Sequence, residues 1–288
     1  MCATRACTRM CCAVLIAAVG ACKKGPSSSE RVSLQPEPSS SVAKDRGDVS
    51  PIKVGIPQSV EKISEVVNPL NEAPYSGPVA TLRGRVRIEG DAPEDMALSF
   101  PEGCGEAAAT YGKLFRVGQD GAVADALVAV TGYKGFVPAR DEAKSTTIHG
   151  CAFSKRTIAL TFGQRIEVSN LDGSTSYMPY LDGAAMIAIM VAVPKGAPVK
   201  LYPQEPGHYL VRDQLPKPFL TADVFALKYA THDVTGLDGA YEITGIPVGK
   251  VNINAYLHAI NKSVEKEIEL HAGDNALDLM LEYRRAGR

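Results

Sequence analysis

From Pro78 onward, apolar residues fall in short runs or in alternation, and Gly, Pro, Asn and Asp separate one run from the next. That rhythm belongs to strands, whose successive side chains face opposite ways, and not to the 3.6-residue period of an amphipathic helix. It predicts twelve strands, over residues 80–88, 126–131, 157–162, 165–169, 186–193, 199–202, 208–212, 222–229, 240–243, 250–258, 264–270 and 276–282. Many short strands joined by loops of ordinary length specify an all-β fold, an antiparallel sandwich with a second, small β unit. The most apolar stretch, 184–193, is strand-sized and reads as core; after the leader, no run has the length of a membrane helix. One brief helix is predicted within this region, at 106–111.

Upstream the pattern is different. Residues 23–78 are rich in Ser, Pro, Glu and Lys, with Pro26-Ser27-Ser28-Ser29 and Pro38-Ser39-Ser40-Ser41 marking a segment unable to bury much apolar area. It reads as a flexible tether whose ends lie roughly 40 Å apart as a coil. Within it, Val60, Ile63, Val66, Val67 and Leu70 recur at helical spacing before Asn68-Pro69, predicting a short helix near 60–68 that docks or frays.

The first residues set the compartment. Arg5 and Arg9 precede an apolar stretch, 13–21, too short to span a bilayer, and Val19-Gly20-Ala21-Cys22 closes it with small residues before a cysteine. This reads as a bacterial lipoprotein signal over 1–22, with Cys22 as the lipidated first residue. An ordinary signal peptide cut nearby and a start downstream of Met1 are the alternatives. Lys23 after Cys22 is compatible with outer-membrane sorting, so a lipid-anchored position in the bacterial envelope, outer membrane ahead of inner, is the expectation. The membrane is then a partner through the lipid.

Composition narrows the classes further. Losing the leader removes two of the 31 basic residues, and the remaining 29 against 32 acidic ones give a formal charge of −3. That balance provides no electrostatic footprint for nucleic acid. After the leader and Cys22, only Cys104 and Cys151 remain. In an oxidising compartment one bridge between them is the default, ahead of two free thiols. A redox or metal-binding pair lacks a C-x-x-C spacing, and His149 alone beside Cys151 is weak support.

Three stretches resemble a group of bacterial envelope proteins in which a cupredoxin-like sandwich is fused to a carboxypeptidase regulatory-like (transthyretin-like) β unit. They are Cys151-Ala152-Phe153-Ser154 with the run from Ile158 to Asp172, then Pro206-Gly207-His208-Tyr209-Leu210-Val211, then the run from Val234 to Lys250. With Gly84-Arg85-Val86 the match spans most of 79–288. The resemblance implies a cupredoxin-like sandwich over 79–231 and a regulatory-like unit over 232–288. Independently, Asp238-Gly239 and Pro247-Val248-Gly249 each suit a tight turn, framing 240–246 as a hairpin strand.

A blue-copper centre needs two imidazoles, a thiolate and a weak thioether. In the resembling group these follow an Asn-x-Asp turn and a Gly-x-Tyr strand. Carried onto this chain, the histidine positions fall at Ser176 and Leu215, the thiolate at Arg212, and the thioether near Pro218, Phe219 or Leu220. None of these is a donor of the required kind, so the resemblance implies a sandwich without its copper, with no cofactor and no metal site. Met178, Met186 and Met190 with His208 could form a substitute soft site, but methionine more often fills core gaps. His232 beside Asp233, and His258 after Tyr256, read as hydrogen-bonded surface residues at strand ends. No G-x-S-x-G, H-E-x-x-H or G-K-[ST] motif occurs, and Asn170-Leu171-Asp172-Gly173 reads as a turn before a calcium loop.

The expectation is therefore no enzyme but a membrane-anchored envelope lipoprotein with a binding or scaffolding role. Its partner would be another envelope protein or a glycan, met through Tyr177, Tyr180, Arg212 and Asp213 at one pole, because tyrosine and arginine suit adaptable recognition. The alternative is a periplasmic copper-binding or electron-transfer protein with a shifted site.

Overall fold

The computed structural model describes residues 57–185, 187–215 and 217–285. The signal segment, Cys22 and most of the tether lie outside the described residues. Among the described residues no helix is long and apolar enough to cross a membrane.

The strands are β1 (Val79–Gly90), β2 (Leu127–Thr131), β3 (Ala143–His149), β4 (Ala152–Phe153), β5 (Thr157–Thr161), β6 (Arg165–Asn170), β7 (Pro179–Asp182) and β8 (Val199–Leu201). After them come β9 (Gly207–Asp213), β10 (Thr221–Leu227), β11 (His232–Val234), β12 (Ala240–Pro247), β13 (Gly249–Leu257), β14 (Lys262–Leu270), β15 (Gly273–Ala276) and β16 (Leu279–Tyr283). Two helices, α1 (Val60–Val67) and α2 (Gly105–Tyr111), match the predicted positions closely. The fold is an all-β pair of sandwiches.

One sandwich sets the sheet β5-β10-β9-β7 against β4-β3-β6-β8. Alternation decides what it buries. Along β6 and β10 every second residue is buried, and Ile166, Val168, Ala222, Val224 and Ala226 meet Ile148, Phe153, Ile158 and Leu160 in one core. The sheets are mixed, since β3 runs parallel to β6 and β5 parallel to β10.

The second sandwich sets β12-β1-β15, with β16 also paired to β1, against β11-β2-β13-β14. Leu82, Val86, Val128, Val130, Ile243, Ile253, Leu279 and Leu281 form its separate core. Here the expected division at 231/232 needs correcting. β1 pairs antiparallel with β12 from Val79–Pro247 to Arg85–Ala240, and β2 pairs with both β11 and β13. The first sandwich is therefore inserted between β2 and β11 of the second. Contiguity in sequence suggested otherwise, but the cross-strand partners that stabilise a sheet need not be sequence neighbours.

Two further expectations change. The described residues of the strand expected at 186–193 do not form one. Among them only Ala192 pairs, with Tyr177, and Ile187, Ile189, Val191 and Val193 are each about half exposed (52%, 50%, 51% and 48%). The alternation is present, with Ala192 buried and Met190 packed on the core, but the outward positions are apolar too. Pro247-Val248-Gly249 is not a hairpin turn either. Gly249, at φ +115°, turns a corner that carries the chain from the sheet of β12 to the sheet of β13.

The described end of the tether lies against the fold. Ser59 caps α1 by accepting from the Lys62 amide at 3.2 Å, the Lys62 ammonium donates to the Gln204 carbonyl at 3.0 Å, and Ile63 packs over Gly163. Tyr75 N–H donates to the Phe136 carbonyl at 2.8 Å.

Buried charge ties the two sandwiches together. Asp125, held at φ +66° beside β2, accepts two hydrogen bonds from Arg116 at 2.6 and 2.7 Å and a third from the Arg156 amide at 3.0 Å. The Arg156 guanidinium donates in turn to the carbonyls of Thr110, Lys113 and Leu114 at 3.0–3.4 Å. The expected Cys104–Cys151 bridge is formed, fastening the start of α2 to β4, and the Tyr111 hydroxyl at the end of α2 accepts from the Phe153 amide at 3.0 Å.

Candidate functional site

Two places combine the chemistry singled out in the sequence. The first is the pole where the resemblance puts copper ligands. Tyr177 is fully buried there. Its backbone pairs with Ala192, its hydroxyl donates to the Asp172 carboxylate, and the Lys217 ammonium lies 5.0 Å above its ring. Burial, then the bonded Asp172 carboxylate, pushes the Tyr177 phenol well above its ordinary pKa. Asp213 is also withdrawn from solvent, with a side chain 1% exposed, and accepts from the Met178 amide at 2.7 Å. Arg212 Nε lies 3.0 Å from the Asp182 carboxylate, outside hydrogen-bond alignment.

The expected partner surface of Tyr177, Tyr180, Arg212 and Asp213 is thus corrected. Tyr177 and the Asp213 carboxylate face inward, because strand-like pairing with Ala192 and capping of the Met178 amide draw them in. Tyr180 and Arg212 stay partly exposed. Around them each charge has an opposite neighbour: Arg212 with Asp182, Lys217 with Asp213 at 3.6 Å. Phe219 and Leu220 are buried in the core. No imidazole, thiol or thioether stands at Ser176, Arg212, Leu215 or Pro218.

The second place is the seam between the sandwiches. On β10, Ala222, Val224 and Ala226 point into the core, so Asp223 and Phe225 point out. The register of β9 on β10 sets His208 opposite Phe225, one diagonal step from Asp223. Against this outer face comes the end of β13, where Tyr256 is followed by Leu257 and a 3₁₀ turn, His258–Ile260. Asn261, at φ +49°, closes that turn in a left-handed conformation that asparagine tolerates.

The result brings His208, Asp223 and His258 together. Asp223 Oδ1 is 2.8 Å from His208 Nε2 and 3.4 Å from His258 Nε2, and the two imidazoles lie 4.5 Å apart. One ligand atom from each of the three falls within 4.8 Å of the others, the one such grouping of histidine, cysteine and carboxylate among the described residues. Phe225 stacks beneath His208 at 4.8 Å. Tyr256 Oη is 3.0 Å from His258 Nδ1 and donates to Asn261 Oδ1 at 3.0 Å. The three side chains stay accessible, at 36%, 22% and 37%.

The sequence pattern pairs neither histidine of this group with the other and does not single out Asp223. The available signal was the outward alternation of two neighbouring strands, which puts residues 208 and 223 on one face once a hairpin between them is assumed. His258 could not be added without knowing how the sandwiches meet. The expected strand-end histidine at 232 is placed differently. Its Nε2 lies 3.3 Å from Thr161 Oγ1, and burial, followed by the nearby Lys144 charge, lowers its pKa to about 4.

No protein family profile and no curated protein matches this chain. Solved structures do. The copper-containing nitrite reductase (NirK) from Thermus scotoductus SA-01 is similar over 33% of this chain, at 13% identity and a TM-score of 0.27, and only 24% of that enzyme's length is spanned. A reduced Cu(I) form of an amicyanin variant is similar over 34% of this chain and 97% of its own, at 15% identity and a TM-score of 0.25. Auracyanin A, a "blue" copper protein from Chloroflexus aurantiacus, is similar over 29% and 97%, at 14% identity and a TM-score of 0.25. The all-β sandwich class rests on the strand pairing itself, and no activity is read from these likenesses.

Proposed function

We propose that this chain is a non-enzymatic binding protein of the bacterial envelope, anchored to a membrane through a lipid on Cys22, with the copper-ligand pole given over to structural contacts. The observation that carries the reading is the pole's chemistry. Ser176, Arg212, Leu215 and Pro218 stand where the resemblance implies donors, and Arg212, Asp182, Lys217 and Asp213 are spent on one another. A trigonal copper centre needs a thiolate, and both cysteines among the described residues are joined in a disulfide. The partner is another envelope protein or a glycan, met at the partly exposed side chains Tyr180 and Arg212.

Two measurements test this. Incubation with copper(II) is expected to give no intense thiolate-to-copper band, and a blue product would overturn the reading. Metabolic labelling with palmitate is expected to mark the wild type and not Cys22→Ser, which would leave the membrane fraction; an unlabelled, freely soluble wild type would remove the anchor. For the partner, co-purification from native envelopes should lose its companion with Tyr180→Ala and Arg212→Ala combined.

A further inference from the structure

We propose that His208, Asp223 and His258 form a binding site for a borderline divalent transition ion, probed here as zinc, built across the seam between the two sandwiches. This site is separate from the copper pole and from the partner surface proposed above. One hydrogen atom orients the site. Tyr256 carries a single hydroxyl proton, and that proton is donated to Asn261 Oδ1. Toward His258 Nδ1, 3.0 Å away, the same oxygen can therefore only accept. The proton of a neutral His258 is thus fixed on Nδ1, and its Nε2 lone pair points at the Asp223 carboxylate 3.4 Å away.

Two acceptors that face each other repel unless a proton or a metal ion lies between them, and the two compete for the place. His208 supplies a second imidazole nitrogen on the same carboxylate oxygen, at 2.8 Å. A tetrahedral zinc with ligand bonds of about 2.0–2.2 Å separates its ligand atoms by roughly 3.3–3.5 Å. The His258–Asp223 spacing already has that value, and the shorter His208–Asp223 spacing opens by a small rotation of accessible side chains. The hydrogen bond from His258 Nδ1 to Tyr256 is the outer-shell contact that ligating histidines ordinarily make. Two nitrogens and one oxygen select a borderline ion over magnesium or calcium, which take oxygen ligands. Three protein ligands leave a fourth position open to solvent for water or an exchangeable ligand.

The test is equilibrium dialysis of the untagged full chain against zinc, its free thiols alkylated beforehand, with magnesium as the control. One equivalent of zinc is expected that disappears from the count in His208→Ala and His258→Ala, each weakening binding at least about tenfold. Tyr256→Phe, which keeps the ring and loses the acceptor, is expected to weaken binding about tenfold while keeping the stoichiometry. Long-range proton–nitrogen NMR on the wild type supplies a reading independent of any variant. His258 should hold its proton on Nδ1 throughout, and zinc should shift Nε2 of both histidines. Zinc uptake unchanged in both alanine variants, magnesium bound equally well, or a His258 that carries its lone proton on Nε2 would each overturn the proposal.

Discussion

At the scale of single residues, the two most consequential groups lie where the sandwiches meet, Asp125 buried and His232 half-buried. His232 has a folded-state pKa of about 4, below the ordinary value of 6.5. The unfolded chain therefore binds a proton between those values while the folded chain does not, and stability falls as pH drops from about 6.5 to about 4. The loss is at most about 3 kcal/mol. Urea midpoints measured across that window should decline in the wild type and decline less in His232→Gln, whose side chain can still reach Thr161. Asp125 is the other group. It is 8% exposed at its side chain and holds Arg116, itself 15% exposed. Asp125→Asn keeps the shape and tolerates the left-handed backbone, yet strands a buried guanidinium, so a loss of about 3–5 kcal/mol by denaturant titration is expected. Neither role was legible in the sequence, where Asp125 stood among small apolar residues and His232 looked like a surface residue. Their meaning comes from what packs over them.

At the scale of elements, the sequence was read well where alternation was clean. The strands β6, β9, β10, β13 and β14 lie where apolar and polar positions exchange regularly, and α1 and α2 lie where the spacing changes to helical. Strands carrying many hydroxyls or charges, such as β3, and very short ones, such as β7 and β11, left too weak a signal. The apolar run at 184–193 points the opposite way: its described residues pair with a neighbour at Ala192 alone, and one bridge does not make a strand. Gly84 in β1 shows how closely elements meet: a Cβ there would lie 1.7 Å from the Leu277 carbonyl oxygen. Gly84→Ala should therefore push the segment leading into β16 away from β1 and cost roughly 1–3 kcal/mol, seen as a lower unfolding temperature with normal circular dichroism before the transition. In the irregular segment between β7 and β8, Ile187→Ser with Ile189→Ser should change stability little, because both side chains are half exposed.

At the scale of the whole molecule, the candidate sites were legible only in part. The loss of donors at the pole follows from residue identities alone, whereas the seam needs three strands from two sandwiches and could not be assembled without their arrangement. The Cys104–Cys151 bridge was readable from the cysteine count. It closes a separation of 47 residues, and reduction should cost up to about 4 kcal/mol in the chain-entropy treatment. A thermal scan with and without reductant measures that cost.

The insertion of one sandwich within the other also sets a schedule for synthesis. When the chain has grown as far as Leu227, every strand of the inner sandwich exists, while β1 still lacks β12 and β2 still lacks β11 and β13. The inner body can close first, and the outer one stays an open clasp, its early strands waiting with their edges unprotected until the last ones arrive. Truncation beyond Leu227 should accordingly leave a compact inner half trailing sticky, unpaired ends.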